Sequence, residues 1–280
     1  MSFEFAFSIG IAIIIMAFLA EYVDSTLGMG YGTALTPLLI ILGFEPLQAI
    51  PAVLLSQLIA GILAGLFHHF AGNVDFKPKT MNMKVIMRKV KEIGIVESFR
   101  RGIPLHLKVA IALALCGIIG SLIAVFVAVS LPKLYLRMYI GILVLITGII
   151  ILATRNKQYR FSWKKLTLLG MVASFNKGMS GGGYGPIVTC GQILSGLNEK
   201  NAIAITSLAE GLTCFVGVVA YVLIGGIVDW TLALYLIVGV VPSVPLSAYT
   251  VKKTGTRKLR VTVGIFTVLL GSITIIKVLL

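Results

Sequence analysis

Gly28-Met29-Gly30-Tyr31-Gly32 returns 153 residues later as Gly181-Gly182-Gly183-Tyr184-Gly185. The alignment extends without a gap: from 28 to 55, ten of 28 positions equal their partners, among them Thr36/Thr189, Gly43/Gly196, Ala49/Ala202 and Leu55/Leu208. Both copies break apolar stretches with glycine. A tandem repeat of that kind places irregular backbone at two equivalent points inside a hydrophobic chain, which is where membrane proteins built from repeats keep their sites.

The composition fits such a chain. Of 280 residues 58% are apolar and 12% charged, with a mean hydropathy of +1.02, where a soluble domain carries about 25% charge. Runs such as 109–129 and 138–153 are long enough to span a bilayer, and the period-2 alternation of a β-barrel is missing. The expected fold class is therefore an all-α polytopic membrane protein. Residues 3–20 lack a basic n-region and a small-residue cleavage site, so they read as part of the mature protein rather than a signal peptide. Cys116, Cys190 and Cys214 lie in apolar stretches without metal-ligand spacing and read as packing residues; no metal and no cofactor is expected.

The net charge of +14 is confined to connections. Nineteen of the 24 Lys and Arg fall within 77–108, 155–165 and 252–260. Short basic loops between apolar segments mark the cytoplasmic face, which explains the charge without a nucleic-acid partner. Ten apolar elements can be read, at 3–23, 33–43, 46–70, 107–129, 134–153, 164–176, 186–196, 199–224, 230–250 and 257–279. With the basic connections inside, both termini and the 44–46, 131–133 and 225–229 turns lie outside. Five elements per repeat is an odd number, so the first repeat (1–153) and the second (154–280) have inverted topology. A second match supports this: Leu136, Arg137, Gly141, Ile142 and Gly148 correspond to Leu259, Arg260, Gly264, Ile265 and Gly271, at an offset of 123. The thirty-residue difference is the size of the basic 77–107 segment, read as an insertion holding either an amphipathic helix around 82–99 or a linker. At 1.5 Å per residue, 33–43, 186–196 and 164–176 are too short to cross a core of about 30 Å. They predict about eight to ten transmembrane or re-entrant helices, with a glycine loop at the tip of a hairpin from each face.

Backbone at that depth persists only where protein or a water-lined cavity satisfies it. Short helices starting just after each loop would turn their amides and positive dipole ends inward, which favours an anion. The candidate substrate-binding set is Gly28, Gly30, Tyr31, Gly32, Asn176, Lys177, Ser180, Gly181, Gly182, Gly183, Tyr184 and Gln192, with Thr36 and Thr189 as further hydroxyl donors. Ionisable residues inside a membrane are functional candidates by default, and Glu21, Asp24 and Glu210, with Gln57, form the candidate proton- or ion-coupling set. Asp24 and Lys177 are equivalent positions at the 153 offset, as are Gln57 and Glu210. The expectation is that Asp24 and Lys177 pair in the empty site and that an anion competes for Lys177. Glu210 reads either as a proton carrier or as an acceptor for loop amides. His68 and His69 are expected at the inner interface.

Rival chemistries fit less well. Gly30-Tyr31-Gly32 and Gly183-Tyr184-Gly185 resemble the GYG of potassium filters, but Leu27-Gly28-Met29 lacks the Thr-Val stretch and Lys177 would repel a cation. Gly178-Met179-Ser180-Gly181 resembles the motif of intramembrane serine proteases, yet all three histidines precede it. No Walker A pattern is present. No catalytic residue is assigned and no enzyme activity is expected. A membrane protein that binds a partner through its basic loop, without transporting, is the remaining alternative.

Taken together, the two glycine segments with their flanks, Gly28-Met29-Gly30-Tyr31-Gly32-Thr33 through Pro37 and Gly178 through Pro186, resemble the sulfite exporter TauE/SafE family of membrane anion transporters. The resemblance covers essentially the whole chain outside 77–107. It implies a multi-pass carrier of the inner or plasma membrane for sulfite, thiosulfate, sulfonates or related organic anions, with a small anion and the bilayer as partners. A homo-oligomer is compatible with every feature above.

Overall fold

The computed structural model describes residues 3–78, 87–88, 102–153, 162–194, 197–225, 228–253 and 257–279. These form ten helices: α1 (Phe3–Leu27), α2 (Tyr31–Ile41), α3 (Pro46–Phe70), α4 (Leu105–Ser130), α5 (Lys133–Ala153), α6 (Trp163–Ser180), α7 (Tyr184–Leu194), α8 (Glu199–Gly225), α9 (Trp230–Lys253) and α10 (Arg257–Leu279). Each corresponds to one expected element. Of the stretch 82–99, read as either an amphipathic helix or a linker, all but 87–88 lies outside the described residues.

Among the described residues six helices are long and apolar enough to cross a membrane: Ser8–Leu27, Pro46–Phe70, Leu105–Ser130, Lys133–Ile150, Glu199–Ile224 and Trp230–Lys253. Their outward faces carry large apolar side chains, as Leu115, Ile119 and Phe126 do on α4. A soluble protein would hide such a belt; a lipid-embedded one presents it. The chain is a multi-pass membrane protein.

Two boundaries differ from expectation. The first element runs on to Leu27 and the sixth to Ser180. Residues 177–180 (Lys-Gly-Met-Ser) read as loop, but they continue the helix: Ser180 Oγ donates to Asn176 O, as Ser174 Oγ does to Gly170 O. With 18 residues α6 is about 27 Å long, longer than the expected 164–176 fragment. The irregular segments shrink accordingly to 28–30 and 181–183.

The helices pack in pairs. α1 lies along α9, α4 along α6, α3 along α8 and α5 along α10, while α3 also contacts α9 and α4 contacts α8. Close approach relies on missing side chains. A Cβ on Gly61 of α3 would stand 2.6 Å from Ser207 O and 2.7 Å from Gly211 Cα of α8. The interior prolines of α9, Pro242 and Pro245, are accompanied by hydroxyls that bond back to the helix, Ser243 to Val240 O and Ser247 to Val244 O, as expected where a Pro-interrupted helix has no water to turn to. Crossing α3 against α8 and lining both with α1 and α6 sets the two glycine segments face to face.

Gly61→Ala should therefore force α3 from α8 and cost about 1–3 kcal/mol. Gly102→Ala, whose Cβ would meet nothing within 4 Å, should be neutral. Thermal unfolding of the two purified variants in one detergent compares them directly.

Candidate functional site

The two glycine segments touch backbone to backbone. A Cβ on Gly32 would overlap the Gly181 carbonyl oxygen, and in the equivalent contact at the 153 offset one on Gly185 would overlap Gly28 O. Gly28 and Gly181 have φ of 69° and 71°, and Gly30 and Gly183 have 135° and 77°. These are left-handed values that L side chains avoid, so the repeated glycines serve both conformation and contact. Gly183 N donates to Thr33 Oγ1 at 3.1 Å, and Thr189 Oγ1 donates to Gly28 O at 2.7 Å. Thr36 Oγ1 is buried without a hydrogen-bond partner, although Thr36 is the counterpart of Thr189.

Beside the loops runs a chain of four buried side chains from four helices. Asp24 of α1 accepts from Gln57 of α3 (Oδ2 to Nε2, 3.0 Å), Gln57 Oε1 accepts from Lys177 Nζ of α6 at 3.3 Å, and Lys177 pairs with Glu210 Oε1 of α8 at 2.7 Å. Lys177 is 0% exposed and Glu210, Asp24 and Gln57 at most 3%. Glu21 is buried one turn before Asp24, and its Oε1 accepts from Ser25 Oγ at 2.6 Å. Second oxygens of Glu21 and Glu210 have no hydrogen-bond partner. Three carboxyl groups face one ammonium in apolar surroundings, where each charge survives only with partners.

The direct Asp24–Lys177 pair expected from the repeat is not formed. Asp24 Oδ1 instead accepts from Tyr31 N at 3.0 Å, capping the first residue of α2 where a carboxylate meets the positive end of the helix. Gln57 spans the space between, and the longer Glu210 takes Lys177. The cap also means that the Tyr31 amide already has an acceptor, as do Gly28 N (Asp24 O), Gly181 N (Lys177 O) and Gly182 N (Ser180 Oγ).

The remaining expected residues surround this chain. Tyr31 Oη lies 2.6 Å from Ser56 Oγ, and Tyr184 is fully buried at the equivalent position. Asn176 accepts from Tyr139 Oη at 2.7 Å. Gln192 stands apart from the ionic chain: its Nε2 donates to Thr206 Oγ1 at 2.8 Å, and Thr206 Oγ1 lies 2.8 Å from Thr189 Oγ1, whose own hydrogen goes to Gly28 O. Gln192 thus connects to the first loop through two hydroxyls.

His68 is buried within the protein. It is 0% exposed; Nε2 donates to Ser25 O at 2.9 Å, so Nδ1 accepts from Asn73 Nδ2, also at 2.9 Å. Asn73 donates its other hydrogen to Ala248 O at 2.8 Å. This strut joins α1, α3 and α9 one residue beyond Asp24. The sequence held two signals for residues left out of the expected set. Ser25 follows Glu21 by one turn, and Cys214, fully buried, follows Glu210 by one turn on the same helix face.

With that geometry in place the comparison with known proteins can be read. The sequence model of the family described as sulfite exporter TauE/SafE matches residues 13–83 and 90–273. The chain belongs to this family. Residues 84–89 alone separate the two matched stretches, so most of the basic 77–107 segment falls within the family pattern, contrary to its reading as a departure from it. A relative from Bacillus subtilis (strain 168), the "Probable membrane transporter protein YtnM", is 25% identical over 282 residues, covering 95% of this chain and 83% of its own. No solved structure matches. The family and this relative make the chain a membrane transporter of the TauE/SafE type.

Removing one partner of the buried pair should be worse than removing both charges. Lys177→Met strands Glu210 and should cost about 3–5 kcal/mol, while Lys177→Met with Glu210→Gln should recover a large share. Unfolding of the two variants in detergent measures the difference.

Proposed function

We propose that this chain is a secondary active transporter of small sulfur-containing or organic anions, such as sulfite, thiosulfate or sulfonates, in the plasma or inner membrane. It works by alternating access and is coupled to protons. The observation that carries the reading is Lys177: one fully buried ammonium beside two glycine loops, paired to a carboxylate that has a free oxygen.

An oxyanion entering beside Lys177 replaces Glu210 with a ligand of the same charge and similar donor demand, so the ammonium stays paired throughout. Glu210 is left as a carboxylate without its cation at a depth where that costs several kcal/mol. It takes a proton, and anion and proton then move together. Gln57, bonded to both Lys177 and Asp24, passes the change to the α2 cap. Neutral donors near the loops, Ser180, Asn176, Thr36 and Thr189, and amides at the starts of α2 and α7 complete the anion's shell once the loops part.

Alternation requires two related halves, and the packing pairs support an inverted repeat of 1–153 and 154–280. Matching α1–α5 with α6–α10 in order turns the α1–α9 contact into α6–α4 and the α3–α9 contact into α8–α4, both of which occur. The α3–α8 and α5–α10 contacts map onto themselves. In a potassium-type filter the glycine carbonyls would face an ion path, whereas Gly28 O accepts from Thr189 and Lys177 lies alongside; the channel reading loses to the carrier.

In proteoliposomes, rapid jumps of sulfite, thiosulfate, sulfoacetate, sulfate or acetate should produce a saturable anion-dependent current for at least one of them, potassium none. Lys177→Met should abolish it. In Glu210→Gln the proton no longer accompanies the anion, so the charge moved per anion should become more negative by one unit and lose its dependence on pH. A current carried by potassium, or an undiminished anion current in Lys177→Met, would end this reading.

Cys214 offers a native reporter of opening. In a Cys116→Ser, Cys190→Ser background, a membrane-impermeant maleimide should reach Cys214 from each side of the membrane in turn as the gradient is reversed, and the transported anion should slow the labelling. Quantifying the modified peptide by mass spectrometry reads the rate.

A further inference from the structure

Away from Lys177, a small cavity lies where α2 ends against α5 and α10. Ile40, Ile41, Arg137, Thr274 and Lys277 line it, and it holds about 40 Å³. Its donors are unevenly used. Arg137 Nη2 donates to Glu45 Oε2 at 3.0 Å, but Arg137 Nε is buried with no hydrogen-bond partner. A buried donor left unmet costs about 1–3 kcal/mol. Lys277 Nζ spends one of its three hydrogens on Ile41 O at 2.6 Å, the last residue of α2. Thr274 Oγ1 gives its hydrogen to Leu270 O and has none to offer. Lys133 Nζ stands 3.7 Å from the same Glu45 oxygen. Two cations, Arg137 and Lys133, thus share one carboxylate, and Lys277 has no carboxylate partner among the described residues.

We propose that Arg137 Nε and Lys277 form a second oxyanion site, distinct from Lys177, for a tetrahedral or trigonal anion such as sulfate or phosphate, free or as the phosphate of an anionic lipid headgroup. Size and chemistry agree. One water needs about 10–15 Å³ of such space, so the cavity admits an oxyanion group of a few heavy atoms, and anything attached to that group must stay outside it. A guanidinium edge with a neighbouring ammonium is a common oxyanion cradle, planar recognition from one and a point charge from the other.

The position gives the site a use. On α5, Arg137 precedes Leu143 by six residues, about 9 Å along the helix, and Leu143 lies against Gly183 of the second loop. On α2, the helix that starts at the first loop ends at this cavity. An anion held here is a short step from the loops, at the bundle end that the basic-loop pattern places outside.

Site-resolved modification of Arg137 by phenylglyoxal tests this on the full chain in neutral detergent, with peptides quantified by mass spectrometry. Sulfate and phosphate are compared with chloride at equal ionic strength, and dioctanoyl phosphatidylglycerol with dioctanoyl phosphatidylcholine. An occupant at twice its Kd should slow modification roughly threefold, as 1 + [L]/Kd. Slowing by sulfate or phosphate supports a free oxyanion, and slowing by the glycerol lipid alone supports a headgroup. In either case Lys277→Met should remove the effect, Lys277→Arg should keep it, and the charge-paired double variant Lys177→Met, Glu210→Gln should leave it intact. No slowing by any anion, slowing undiminished in Lys277→Met, or slowing lost in the Lys177→Met, Glu210→Gln double variant would overturn the second site. The readout involves no transport, so it fails or succeeds separately from the reading of Lys177.

Discussion

An ammonium with no contact to solvent, in the middle of an apolar bundle, is the constraint on which the rest depends. Lys177 cannot be left alone there, and its needs recruit α8 through Glu210 and α3 through Gln57, while Gln57 in turn holds Asp24 of α1. Four helices from both halves of the chain converge because one charge has to be met. The same need makes the site responsive: anything that offers Lys177 a better or equal anion releases Glu210.

Glycine provides the room for that convergence. The loops at 28–30 and 181–183 meet through backbone alone, and each tolerates its left-handed turn only because it lacks a Cβ. Where a hydroxyl stands near, as Thr33 and Thr189 do, it bonds across to the opposite loop. In this conformation the loops fill the axis themselves. Under the proposed function a transported anion and the loop–loop contact would be alternatives, and opening of the loops would be tied to occupancy of Lys177.

Much of this was legible in the sequence. Charge blocks and apolar runs located all ten helices, with 46–70 and 257–279 reproduced at both ends, because lipid burial imposes a strong compositional signal. The repeat pointed to both glycine loops and to the four positions of the ionic chain. What it could not give was the pairing within that chain. Equivalence suggested Asp24 with Lys177, but Asp24 is short and committed to the Tyr31 amide, a local demand invisible at the level of repeats. The last residues of α6, 177–180, were missed because Ser180 satisfies its hydroxyl within the helix, on Asn176 O. The partners of His68 were not legible for a related reason: it sits at the end of an apolar run and bonds Asn73, which folds back from beyond the helix to reach Ala248. Periodicity carries no record of such returns.

The exchange at Lys177 is open to direct observation by infrared difference spectroscopy on the reconstituted protein, with the transported anion washed in and out. Binding should produce a protonated-carboxyl band at the expense of a carboxylate band, and Glu210→Gln should lack it. Anion binding with no carboxyl change, or with the same band still present in Glu210→Gln, would contradict the claim that the anion displaces Glu210 and brings a proton with it.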